Sequence, residues 1–158
     1  VIAVADTSPL CYLPLIGEGD LLAKLFAEVA VPEAVITELG HPRVPAAVQA
    51  WLDSPETRLV VHSVTGVVVS PELRSLDAGE REAILLAQQL AASVVILDDK
   101  AARVAAKRCG LRVVGTLGLL EVASREGWVD LQAAVGRLRR TNFRASPTLL
   151  DDLLRRNV

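Results

Sequence analysis

Residues 1–10 (VIAVADTSPL) constrain this chain most. A run of apolar, mostly β-branched residues is closed abruptly by Asp6, Thr7, Ser8 and Pro9. That pattern predicts a strand buried on both faces, as in a parallel sheet. In open α/β sheets, ligands bind at the carboxyl ends of the strands. Asp6 stands at that end with two hydroxyls beside it, so the rest of the chain is read for what it brings to Asp6.

Strand and helix patterns alternate along the rest of the chain. Residues 20–28 (DLLAKLFAE) have helical spacing with Asp20 as N-cap, and 29–31 form a short strand halted by Pro32. Proline suits a first helical turn, so 32–39 (PEAVITEL) reads as a helix ended by Gly40. Glu38 falls in its last turn, where the helix dipole disfavours a negative charge by a few tenths of a kcal/mol. Taken locally, an exposed surface glutamate is the ordinary reading of it. Residues 44–52 are a further helix between prolines, and 58–64 (RLVVHSV) an edge strand. In 75–92 (SLDAGEREAILLAQQLAA), Asp77 caps a helix with Glu80 at capping-box spacing. Its alanines permit close approach to a sheet. Residues 93–97 (SVVIL) are a buried strand that ends in Asp98 and Asp99, and a helix follows from Lys100 to Cys109 with Gly110 as C-cap. Residues 111–114 are the next strand, and Gly115, Thr116 and Gly118 turn it into a helix over 117–126. Helices over 130–140 and 147–156 close the chain. The prediction is one three-layer α/β domain over 1–158, with a parallel sheet of four or five strands, the strand of residues 1–5 central, helices on both faces and the C-terminal helices of 130–158 packing on it.

Composition narrows the function. The 158 residues suffice for one domain burying roughly 70% of its unfolded surface. No apolar run reaches the roughly 20 residues of a membrane span, and no charged-then-apolar leader is present, so a soluble cytoplasmic protein is expected. Cys11 and Cys109 show no metal-type spacing and read as reduced, half-buried thiols. With 17 basic and 19 acidic residues, net charge −2, the chain does not grip nucleic acid by bulk charge. Basic residues are nevertheless concentrated after Asp99 and near the C-terminus. His41 and His62 have no evident partner, and no GxSxG elbow is present, so histidine-assisted nucleophilic catalysis has little to work with. A dinucleotide fold would need GxGxxG after the first strand, which DTSPL is not.

On the predicted topology, Asp6 and Asp98/Asp99 come to one sheet edge. Two carboxylates about 4 Å apart repel by about 1 kcal/mol in water and about 4 at an effective dielectric of 20. A cation or a shared proton relieves this. All-oxygen ligands suit Mg²⁺ or Mn²⁺ rather than zinc, and a metal-bound water is a nucleophile for phosphodiester hydrolysis.

DTSPL, VPEAVITEL, LDAGEREAILLA, VILDDKAAR and GTLGLL, in that order, resemble the PIN-domain nucleases, especially VapC-type toxins and their stand-alone relatives. The resemblance continues into FRASPTLLDDLL. It implies a metal-dependent ribonuclease with Asp6, Glu38, Glu80 and Asp99 as the acidic set. Asp6, Glu80 and Asp99 would be the Mg²⁺ or Mn²⁺ ligands, supported by Ser8, Asp98 and Thr116. Lys100 and Arg103 are the expected RNA-phosphate contacts, and a cognate antitoxin and a homodimer are candidate partners. Two departures stand out: Glu80 replaces the usual Asp, and Leu97 sits where a hydroxyl is usual. Of the two adjacent acids, Asp99 is expected at the metal, with Asp98 holding the loop or a nearby cation. The rival readings are an inactive PIN-like module that binds RNA or a partner, and a haloacid-dehalogenase-like phosphatase. The latter needs an Asp where Ser8 stands.

Overall fold

A computed structural model describes residues 1–66 and 68–157. Val158, the last residue of the expected C-terminal segment, lies outside the described residues. The chain forms two compact units, one up to Thr116 and one from Leu117 onward.

In the first unit, five parallel strands lie in the order β3-β2-β1-β4-β5. They are β1 (Ile2–Ala5), β2 (Glu28–Pro32), β3 (Leu59–His62), β4 (Val94–Ile96) and β5 (Val113–Val114). The first strand is central and β3 is an edge, as the sequence predicts. Val4 pairs with Ala30 on one side and Val95 on the other, and this row faces a core containing Ala83, Ile84, Ala87, Ala102 and Ala106. Those residues come from α5 (Ala78–Gln89) and α6 (Lys100–Arg108). Short side chains let both helices lie close to the sheet. On the opposite face Ala3, Ala5, Val29, Val31 and Ile96 are equally buried. Burial of each large aliphatic side chain is worth roughly 1.5–3 kcal/mol, which is why continuous apolar runs became the inner strands.

The remaining helices of this unit are α1 (Thr7–Leu15), α2 (Leu21–Leu25), α3 (Glu33–Leu39) and α4 (Ala46–Asp53), with a 3₁₀ turn at Pro71–Leu73. The first of these was not legible as a helix, because Asp6, Thr7, Ser8 and Pro9 read as a turn that closes the strand. Pro9 falls in the first turn, where no intrahelical N–H is needed. Pro14 sits inside the helix, and buried Leu10 and Leu13 hold that segment in the core. The helix expected over 20–28 stops at Leu25, because Ala27 N–H already bonds Val1 O at 3.1 Å and the chain has turned into β2. Cys109, not Gly110, is the C-cap of α6; Gly110 follows with φ +79°. The strand expected over 111–114 is reduced to Val113–Val114.

The second unit contains α7 (Thr116–Arg125, whose first residue closes the first unit), α8 (Leu131–Arg139) and α9 (Pro147–Arg155). Asp130 and Ser146 cap α8 and α9 by accepting from Ala133 N–H and Leu149 N–H. Leu131, Ala134, Val135 and Leu138 of α8 and Leu150 and Leu153 of α9 are buried. Glu121 of α7 accepts from Arg125, Arg156 and Asn157, and Arg156 foremost holds its carboxyl below the usual range. Among the described residues no helix is long and apolar enough to cross a membrane.

Candidate functional site

The carboxyl end of β1 delivers Asp6. Its N–H donates to Ile96 O of β4 at 3.1 Å, which fixes its height at the sheet edge. Only 6% of the residue is exposed. Burial foremost raises its pKa from 3.8 to about 7. The Thr7 N–H opposes that shift, while the charges of Asp77, Glu80 and Glu38 add to it.

Glu38 is not an exposed surface glutamate. It is half-buried, and its Oε2 accepts a 2.6 Å hydrogen bond from Thr7 Oγ1 at the start of α1. A fixed donor of this kind compensates a carboxylate placed at the wrong end of its helix. The other oxygen lies against the backbone of Gly79 in α5. A Cβ there would fall 2.5 Å from Glu38 Oε1 and 3.1 Å from Asp6 Oδ1. The two carboxylates that the sequence paired across β1 and α3 therefore meet at one notch.

Glu80 closes the capping box with Asp77: Glu80 N–H donates to Asp77 Oδ1 at 2.8 Å, and Asp77 N–H donates to Glu80 Oε2 at 3.2 Å. Burial first, then the charges of Asp77 and Asp99, push the Glu80 carboxyl up to about 7. Asp99 is exposed and caps α6, its Oδ2 accepting from Ala102 N–H at 2.9 Å. Asp98 turns elsewhere. It accepts from both the N–H and the hydroxyl of Thr116, and the Arg103 guanidinium faces it across Gly115. Burial raises the Asp98 carboxyl, and the Thr116 hydrogen bonds and Arg103 oppose the rise.

Asp6 and Glu38 are thus brought together, and Glu80 and Asp99 act on them or on each other through their charge. Asp6, Glu80 and Asp99 are not gathered as three ligands of one point: among the described residues no three Asp, Glu, His or Cys side chains are so arranged. Glu80 and Asp99 each give one oxygen to a backbone N–H of a helix start. Ser8 is half-buried at the second position of α1, Thr116 is fully buried, and Lys100 is exposed at the head of α6. The histidines stand apart from this edge in their bonding: His62 contacts Glu28 at 3.3 Å, and His41 Nδ1 accepts from Arg43 N–H.

Three contributors were missed. Thr7, rather than Ser8, provides the observed hydroxyl contact to Glu38. Asp77 acts on both Asp6 and Glu80. Gly79 leaves the notch open. The signal for Thr7 was its place beside Asp6. No local signal marks a glycine in a first helical turn as a neighbour of acids from two other elements. Cys11, one turn beyond Thr7, is a free half-buried thiol raised by burial first and then by Glu38 and Asp6.

The donor set fits a hard divalent cation. It is all carboxylate oxygen, the charges acting most on Asp6 are negative, and the missing side chain of Gly79 lets the Glu38 and Asp6 oxygens approach one point. Mg²⁺ needs only one or two carboxylates, because it keeps several waters.

A five-stranded parallel sheet with clustered acids at its carboxyl edge defines an α/β protein whose chemistry lies at the strand ends. The chain belongs to the PIN-domain family: a family model described as DUF3368, PIN domain, matches residues 2–157. PIN domains are generally nucleases and generally use divalent metal ions. None of the curated proteins matches the sequence. Among solved structures, a PilT N-terminus domain protein from the hyperthermophilic archaeon Sulfolobus solfataricus P2 is similar. Its identity is 16% and the TM-score 0.55, covering 92% of this chain and 100% of that one; at this identity the likeness concerns the fold alone. The family match removes the haloacid-dehalogenase reading.

Proposed function

We propose that this chain is a ribonuclease that hydrolyses RNA phosphodiester bonds with Mg²⁺ or Mn²⁺ held at the edge formed by Asp6 and Glu38. The observation that carries the reading is the meeting of two carboxylates, one nearly fully buried, at the Gly79 notch. Asp6 and Glu38 would hold the ion directly, and Glu80 and Asp99 would hold its waters. When bound, the ion supplies charge neutralisation and a water of lowered pKa. Lys100, exposed at the head of α6, would contact an RNA phosphate, whereas Arg103 balances Asp98. Phosphate contacts of this kind position the substrate without reading its sequence. The family match over residues 2–157 supports treating both compact units as one functional domain. The free cysteines support a cytoplasmic location.

The test is cleavage of single-stranded and looped RNA with Mg²⁺, with Mn²⁺ and with EDTA, using Asp6→Asn as control. Metal-dependent cleavage lost in the control supports the reading. Metal-independent RNA binding without cleavage would instead mark an inactive binding module. The extension to a toxin with a cognate antitoxin rests on motif resemblance alone. Growth on induced expression, wild type against Asp6→Asn, decides it.

A further inference from the structure

Gly79 has no backbone reason to be glycine. It is the second residue of α5, and it is not among the glycines of positive φ. Alanine favours a helix over glycine by up to about fivefold in equilibrium constant. What excludes a side chain is the acidic pair. An added Cβ would stand 2.5 Å from Glu38 Oε1, 3.1 Å from Glu38 Cδ and 3.1 Å from Asp6 Oδ1. The crowded atoms belong to side-chain ends, so a methyl group would displace carboxylates rather than backbone. Glu38 has little freedom to yield, because its other oxygen is held by Thr7 Oγ1 at 2.6 Å.

We propose that Gly79 and Thr7 are positioning residues for the acidic pair: the missing side chain of Gly79 makes room for Glu38 Oε1 beside Asp6, and the Thr7 hydroxyl selects the one orientation of Glu38 that takes that place. As a statement about cation binding, this rests on the reading of the edge as a metal site. As a statement about Glu38, it does not.

The experiment therefore has two arms on the full chain. The first, with chelator present, compares unfolding of Gly79→Ala, Glu38→Ala and the double variant. A clamp predicts non-additivity. Gly79→Ala should be neutral or destabilising beside Glu38, and stabilising by severalfold in unfolding equilibrium constant once Glu38 is Ala. If Gly79→Ala does not fold alone but folds with Glu38→Ala, the clash is located and the clamp stands. Additive effects, or failure of both variants to fold, overturn it.

The second arm is Mn²⁺ binding by calorimetry. Gly79→Ala should weaken it about tenfold or more, Thr7→Val by a smaller factor, and Thr7→Ser should restore it, because serine keeps the donor. A folded Gly79→Ala protein that binds Mn²⁺ like the wild type overturns the positioning role, as does a Thr7→Val protein that does so. Absence of Mn²⁺ binding in the wild type overturns the metal reading and the cation half of the proposal, and the first arm still decides the clamp.

Discussion

Thr116 donates its backbone N–H at 2.7 Å to one oxygen of Asp98 and its hydroxyl at 2.6 Å to the other. Thr116 is fully buried, so this pairing ties the carboxyl end of β4 to that of β5. It also occupies Asp98 and leaves Asp99 to face Glu80, whose carboxyl feels the Asp99 charge.

Asn substitutions should separate the two neighbours. Asp99→Asn should abolish metal-dependent cleavage with little loss of stability, since Asn is as good an N-cap as Asp. Asp98→Asn should retain measurable cleavage but lose about 1–2 kcal/mol, because an amide cannot accept at both of its ends from Thr116. Cleavage assays paired with urea unfolding read both quantities. A folded Asp99→Asn protein that cleaves normally, beside an inactive Asp98→Asn, would exchange the assigned roles.

Asp6 should make stability pH-dependent. Its folded pKa of about 7 lies above the ordinary 3.8, so between these values the folded state binds more protons than the unfolded one. Stability linked to this group is fully present below about pH 4 and is lost as pH rises through 7. With chelator present, Asp6→Asn should match the wild type near pH 4 and exceed it near pH 8 by up to the order of 3–4 kcal/mol. Equal stabilities at pH 8 would show that Asp6 is not strained by burial.

Cation addition should reverse that loss. Saturating Mn²⁺ at about 100 times its Kd stabilises the folded state by about 2.7 kcal/mol. In a chain of this length that is a rise in melting temperature of roughly 5–10 °C. The rise should appear at pH 8, shrink at pH 5 where protons compete for Asp6, and vanish in Asp6→Asn. Differential scanning fluorimetry over a metal series measures it, and an identical rise in the variant would place the ion elsewhere.

Lys100 and Arg103 should differ although both follow Asp99. Lys100→Gln should leave stability unchanged and flatten the salt dependence of single-stranded RNA affinity by about 0.7 in log–log slope. Arg103→Gln should instead lower stability, because Asp98 loses its nearby cation. Fluorescence anisotropy at several salt concentrations distinguishes them. An unchanged slope for Lys100→Gln would move the RNA path away from the head of α6.

Much of this architecture is a local property of the sequence. Residues 1–5 could only become an inner strand, since they offer no polar face. Asp77 and Glu80 form their capping box within four consecutive residues, so their spacing alone announced it. The acids at the ends of β1 and β4 came to one edge because parallel pairing aligns strand ends, and β1 pairs directly with β4. Tertiary structure decided what depends on segments remote in sequence. Glu38 looks like a surface residue within its own helix, and only the packing of α1 and α5 against α3 gives it Thr7 and Gly79. Asp98 and Asp99 are chemically identical, and their division of labour is set by Thr116, a partner supplied by a different strand end. The proton affinity of Asp6 likewise comes mainly from burial, a quantity no single stretch of chain contains.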